Sequence, residues 1–330
     1  MREHCSLALY FLTSTERPFF GTIVDIRSTS LTYCSTAESG TTAQCKIMVA
    51  LYPHNIRTLW ANYHLTKIRS TMLKRHRIQF PKTESSNLNQ DEAYFYLQGS
   101  GGQRKIRFHD YGEIYQVQGL YEQVFYDRLK CTSPVKVATI LESAVKQSQD
   151  NFTELRVLDL GAGNGMMGEE LKKHGISRLI GVDIIPEAYE ATIRDRPGLY
   201  DAYYVEDFTN LDEDKKEDIA SWQCDCMVTV AALGFGDIPT KAFIEAFNII
   251  KAEGWVAFNI KESFFDNNDV SGFSKMIREL IFSKYLDVYH IERYRHRLSI
   301  EGQPLYYFAI AGRKNADVPN EFLESKGILA

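Results

Sequence analysis

The stretch Arg156-Val157-Leu158-Asp159-Leu160-Gly161-Ala162-Gly163-Asn164-Gly165 decides how this 330-residue chain is read. Val157, Leu158 and Leu160 form a short apolar run, as expected of a strand buried on both faces of a parallel sheet. Three glycines at alternate positions follow, Gly161, Gly163 and Gly165. Glycine is needed in such a turn because a Cβ would keep the backbone from closing on a ligand. A helical pattern then starts at Met166 and stops at Lys172-Lys173-His174-Gly175, with basic residues in its last turn and a glycine after them. Strand, glycine turn and helix make half of a nucleotide-binding α/β unit.

A second strand is expected from Leu179 to Val182, ending on Asp183, which lies 24 positions after Asp159. A carboxylate at that tip can accept hydrogen bonds from two ribose hydroxyls; the competing role is a helix-capping acid ahead of Pro186. A third apolar stretch, Ala202 to Val205, runs into Glu206-Asp207-Phe208. There Asp207 could accept from an adenine amino group with Phe208 beside the ring, or serve as an ordinary loop acid. Nicotinamide and flavin fingerprints place a small residue at the sixth position of the turn, where this chain has Met166. No Gly-Lys-Ser or Gly-Lys-Thr phosphate loop occurs here.

The arrangement resembles motif I of the class I S-adenosylmethionine-dependent methyltransferases. That resemblance implies S-adenosyl-L-methionine as cofactor, with Gly161, Ala162 and Gly163 approaching its methionine end and Asp159 near its amino group. It also implies a ribose contact from Asp183 and an adenine contact from Asp207, with Ile184, Phe208 and Ala231 among the cofactor-binding residues. The likeness covers residues 108 to 314. It implies a Rossmann-like α/β fold, a mostly parallel seven-stranded sheet with an antiparallel C-terminal hairpin and helices on both faces. Its later elements are legible in the pattern. Strands are expected at Cys226–Val230, Trp255–Ile260, Asp287–Tyr294 and Pro304–Ala311, and helices at 240–251 and 271–284. Gly236-Asp237-Ile238-Pro239 and Phe258-Asn259-Ile260-Lys261-Glu262 are similar to the Williams–Beuren-region methyltransferase-like group.

Composition divides the chain. Residues 1–90 carry eleven Lys and Arg against five Asp and Glu, while the whole chain has net charge −5. Lys67, Arg69, Lys74, Arg75 and Arg77 cluster there with Trp60 and Tyr63 close by, but no nucleic-acid motif accompanies them, so no nucleic-acid partner is expected. The expected division is a basic N-terminal extension over 1–90, a lid over 91–150, a catalytic core over 151–314 and a tail over 315–330. Six cysteines without paired ligand spacing point to free thiols and no metal site. No apolar stretch has transmembrane length, and Leu7–Leu12 is short for a signal-peptide core, so a cytoplasmic location and no membrane partner are expected. The oligomeric state is not legible.

The methyl acceptor is expected to be a small molecule, because strand four runs into Ala231-Ala232-Leu233-Gly234-Phe235 instead of the Asn/Asp-Pro-Pro-aromatic signature of adenine and amide N-methyltransferases. Tyr111, Tyr115 and Tyr121 are candidates for packing against the sulfonium or the substrate, or for completing a core. His109, Asp237 and Glu262 are the catalytic candidates, each open to a structural role, with Glu262 alternatively a solvated acid paired with Lys261. Two other functional readings stand beside the methyltransferase: a nicotinamide-dependent oxidoreductase, and a regulatory protein that binds the cofactor without catalysis.

Overall fold

A computed structural model describes residues 31–36, 42–47, 75–82, 92–234, 236–265 and 271–328. The chain divides into two units, Met1–Leu73 and Lys74–Ala330. In the first, β1 (Leu31–Thr36) and β2 (Thr42–Ile47) form an antiparallel pair with Leu31 opposite Ile47. Lys67, Arg69 and Lys74 of the basic cluster, and the Leu7–Leu12 stretch, lie outside the described residues.

The second unit begins with a three-stranded antiparallel sheet: β3 (Arg77–Gln79), β4 (Tyr94–Gly99) and β5 (Gly102–Arg107). Residues 77–79, in the stretch read as extension, therefore pair with the region read as lid. A short helix α1 (Tyr111–Tyr115) and a π-helical segment, Glu122–Arg128, follow. Phe95, Ile106, Phe108, Ile114, Leu120 and Val124 join these elements in one apolar cluster.

The main sheet has seven strands: β6 (Arg156–Leu160), β7 (Arg178–Asp183), β8 (Ala202–Val205), β9 (Cys226–Thr229), β10 (Trp255–Lys261), β11 (Leu286–Leu298) and β12 (Pro304–Lys314). Their order is β11-β12-β10-β9-β6-β7-β8, parallel except where β12 runs against β10 and β11. This is the α/β class and the terminal hairpin that the sequence implies. β11 is longer than expected at both ends, and its extension past Tyr294 bears on the site.

Alternation along the strands sorts the core into two layers. Leu158, Val256, Phe258 and Ile260 face one side, against α6 (Thr240–Ile249) and α7 (Phe273–Phe282). Val157, Trp255 and Ala257 face the other, against α2 (Ser133–Gln147) and α3 (Met166–Lys173). Both faces being covered explains why the central strands are continuously apolar. From β6 the chain winds outward through β7 and β8, then returns to the other side of β6 with β9. That reversal opens a crevice beyond the strand C-termini between β6 and β9, the usual ligand position in open α/β sheets. Among the described residues no helix is long and apolar enough to cross a membrane, and no group of three or more His, Cys, Asp or Glu could hold a metal.

Candidate active site

The glycine turn closes the end of β6 against β7. Gly161 and Ala162 both donate their N–H to the Val182 carbonyl at 2.9 Å. Gly163 donates to Oδ2 of Asp183 at 2.8 Å, and its carbonyl accepts from Thr192 and Tyr203, each at 2.8 Å. Gly161 and Gly163 both have positive φ, +72° and +54°. A Cβ on Gly161 would fall 2.8 Å from Cδ1 of Ile238, and one on Gly163 would fall 2.5 Å from the Tyr115 hydroxyl. The positive φ strains any side chain at both positions, and at Gly163 the nearest obstacle to one is the Tyr115 hydroxyl.

A cavity of about 260 Å³ lies at the crevice. Gly161, Asp183, Ile184, Asp207, Phe208 and Ala231 line its floor and sides, and Tyr111, Tyr115 and Tyr121 reach it from the lid. His109 and Asp237 line it as well. Its wall includes four carboxylates, Asp183, Glu206, Asp207 and Asp237, and no Lys or Arg among the described residues. Asp159, Ala162, Gly163 and Glu262 are not in the wall.

Each acid is differently held. Asp183 also accepts from the Ile185 N–H at 3.0 Å; burial raises its pKa, opposed by these backbone donors. Asp207 accepts from the N–H and hydroxyl of Thr209, which lower its pKa. Asp159 is 1% exposed, and burial pushes its pKa up to about 7, against a hydrogen bond from the Tyr200 hydroxyl at 2.7 Å. Its other oxygen, Oδ1, is buried with no hydrogen-bond partner. Glu262, in the turn after β10, accepts from Arg293 of β11 at 2.7 Å and does not line the cavity.

His109 and Asp237, 128 residues apart, meet at 3.0 Å through Nδ1 of the imidazole. Both are about one-fifth exposed, so the pair faces the cavity with limited access to water. Tyr111, Tyr115 and Tyr121 form a continuous aromatic wall: Tyr111 and Tyr115 stack at 6.0 Å, and Tyr115 and Tyr121 meet tilted at 5.1 Å between ring centres. Burial raises the pKa of all three phenols, so they remain neutral. Tyr115 packs on Ala188 and Ala191 of α4 (Pro186–Asp195).

Two supporting groups escape sequence reasoning. Glu122, in the π-helical segment, accepts from Arg196 and from Asn164 of the glycine turn, both at 2.9 Å, while Arg196 also donates to Glu169 at 2.7 Å. This network ties the π-helical segment to the turn, and nothing local in sequence marks it. Asn259 of β10 accepts from the Ala231 N–H at 2.7 Å and donates to Ser133 and Tyr294. It holds Ala231 at φ +59°, a conformation uncommon for a residue with a side chain. A polar residue in the otherwise apolar run Trp255–Ile260 was the one available signal.

Residues 158–258 match a family model described as a methyltransferase domain. No curated protein matches the chain. Among solved structures, a SAM-dependent methyltransferase from Methanosarcina mazei is 18% identical, covering 50% of this chain and 94% of that one, with TM-score 0.38. N-methyltransferase NodS from Bradyrhizobium japonicum is 16% identical over 55% of this chain and 96% of its own, with TM-score 0.39. Magnesium protoporphyrin IX methyltransferase from Synechocystis, solved with SAM bound, is 13% identical over 55% and 79%, with TM-score 0.39.

Proposed function

We propose that this chain, whose residues 158–258 match a methyltransferase-domain model, is a class I S-adenosylmethionine-dependent methyltransferase that methylates a small-molecule acceptor with His109 as general base. The observation that supports the reading most is the sign of the cavity: four carboxylates and no Lys or Arg among the described lining residues. Such a wall suits a ligand bearing an ammonium and a sulfonium. It opposes the pyrophosphate of a nicotinamide dinucleotide, so the oxidoreductase reading is not favoured. It opposes a phosphate backbone in the same way, which favours a small molecule over nucleic acid.

The residues present fit the cofactor. Each oxygen of Asp183 has accepting capacity beyond the one backbone bond it makes, enough for ribose hydroxyls. Asp207 and Phe208 are assigned to the adenine in this reading because both line the cavity. Oδ1 of Asp159 is an orphan acceptor behind the glycine turn, compatible with the amino-group role implied for that acid. When bound, S-adenosylmethionine supplies an already activated methyl group.

What remains for the protein is orientation and proton removal. The neutral aromatic wall of Tyr111, Tyr115 and Tyr121 attracts a cation by roughly 0.5–2 kcal/mol and excludes water. Asp237 orients the imidazole of His109 through Nδ1, and in this reading the imidazole takes the proton of an acceptor hydroxyl or amine as that atom bonds to carbon. The His109–Asp237 pair in the cavity wall supports an enzyme over a purely regulatory binder. The closer likeness to the Williams–Beuren-region group rests on Gly236–Pro239, which brings Asp237 and Ile238 into the cavity wall.

Calorimetry should detect binding of S-adenosylmethionine and none of NAD; the reverse would overturn the reading. His109→Gln and Asp237→Asn should each lower methyl transfer to an acceptor, trapped from cell extract with radiolabelled cofactor, by about 10²–10⁴-fold for the loss of base catalysis. Cofactor affinity should change less than threefold. Unchanged turnover would remove the pair from the chemistry.

A further inference from the structure

Near its end β11 departs from regular alternation. Arg293 is exposed, Tyr294 buried and Arg295 exposed, after which His296 and Arg297 are both buried. A regular pleat sends neighbouring side chains to opposite faces. The exception arises from a shift of register: Arg295 pairs with Tyr306 and Arg297 with Leu305, leaving His296 as the extra residue. Bulges of this kind re-aim side chains beside functional sites. Here the bulge turns Arg297, 5% exposed, toward the interior.

A second cavity, about 40 Å³, lies there. Arg297, His296, Tyr307 and Cys131 line one side, and His109 and Asp237 are shared with the larger cavity. The Arg297 guanidinium sits 5.3 Å from the Phe108 ring centre, and Nη1 donates to the Leu298 carbonyl at 2.9 Å. Among the described residues no carboxylate forms an ion pair with it. Burial disfavours its charged form; the titratable groups that favour that form are Tyr307, Cys131, Tyr111 and Tyr121, and burial keeps Tyr111, Tyr121 and Cys131 neutral. A guanidinium has five donors, and a buried charge without a countercharge is unfavourable. His296 does not satisfy it: its Nδ1 lies 2.5 Å from the Ser133 hydroxyl, its ring stacks on Tyr307, and burial lowers its pKa so that it is neutral.

We propose that the methyl acceptor is an organic acid whose carboxylate docks on Arg297, while the atom to be methylated is presented to His109. This rests on the methyltransferase reading. The planar guanidinium fork matches a carboxylate in two parallel hydrogen bonds. A cavity of 40 Å³ admits about three water-sized groups, which suits a carboxylate better than a phosphate. No residue of the glycine turn and none from the ends of β7 or β8 lines this cavity, so Arg297 lies on the acceptor side of the crevice.

The test uses the full chain saturated with S-adenosylhomocysteine and acetate as probe, followed by NMR of ¹³C-labelled acetate. Acetate should bind the wild type, acetamide should not, and Arg297→Met should weaken acetate at least tenfold. Arg297→Lys, which keeps the charge but not the fork, should weaken it at least threefold and carries the test alone if the Met variant does not fold. S-adenosylmethionine affinity should stay within threefold in both variants. Acetate binding that is absent, or indifferent to Arg297, overturns the proposal. So does tighter binding of inorganic phosphate than of acetate. A tenfold loss of S-adenosylmethionine affinity in the folded variants would assign Arg297 to the cofactor and overturn it too. Failure of the wild type to bind S-adenosylmethionine defeats the methyltransferase reading separately, whatever acetate does.

Discussion

The Gly163 N–H donates to Oδ2 of Asp183 across 2.8 Å, so the glycine turn after β6 and the acid at the tip of β7 form one mechanical unit. The acid that is proposed to receive the ribose also fixes the loop beneath it.

Asp183→Ala should therefore lose both a ligand acceptor and the turn's anchor. Hydrogen bonds to a charged group are worth about 1.5–3 kcal/mol, and that loss corresponds to roughly 10- to 150-fold in the dissociation constant for S-adenosylmethionine. Calorimetry showing less than a threefold change would remove Asp183 from the site.

Gly163→Ala tests the lid contact. Its Cβ would lie 2.5 Å from the Tyr115 hydroxyl and 3.4 Å from the ring carbon that bears it. Cofactor affinity should fall in Gly163→Ala and recover in part in Gly163→Ala/Tyr115→Phe, which removes the clashing oxygen. The unrecovered part, from positive φ, should be on the order of 1–2 kcal/mol. A double-mutant cycle with no coupling would mean that Tyr115 does not press on the turn in solution.

Asp159 makes the unliganded protein pH-sensitive. Burial raises its folded pKa to about 7, well above the usual carboxylate range. A raised carboxyl pKa stabilises the fold fully below the unfolded value, and that stabilisation is lost as pH rises through about 7. Between pH 5 and 8 the wild type should lose about 2–3 kcal/mol from this group by linkage. Asp159→Asn should abolish that loss while keeping an acceptor for Tyr200. Urea midpoints at the two pH values would check it; identical pH profiles would show Asp159 to be solvated.

Truncation separates the two units. Removing residues 1–73 should leave cofactor affinity and acceptor choice unchanged, and should reveal no salt-sensitive RNA or DNA binding in the parent chain. Removing 1–90 takes away β3 and His76, whose N–H donates to Gln123 of the lid at 2.8 Å, and should weaken the cofactor. Removing 1–130 should stop turnover. Binding measurements on the three truncations suffice; full activity in the longest would exclude a lid role for Tyr111, Tyr115 and Tyr121.

By itself the sequence determined the sheet, the glycine turn and the acids at the strand tips. Val157 to Gly165 and the step to Asp183 are local patterns, and burial of a central strand on both faces leaves few residue types open. What only the tertiary structure decided lies across long separations or in a break of period. The meeting of His109 with Asp237 and the ties of Glu122 to Arg196 are set by packing between elements that do not neighbour one another in sequence. Glu262 reads as a site acid by position, but it accepts from Arg293 of β11. Arg297 follows Tyr294 at a spacing that an unbroken alternation would send to the opposite face, toward solvent. A single extra residue opposite β12 reverses that facing and buries the guanidinium, because side-chain direction in a strand depends on register with its partner.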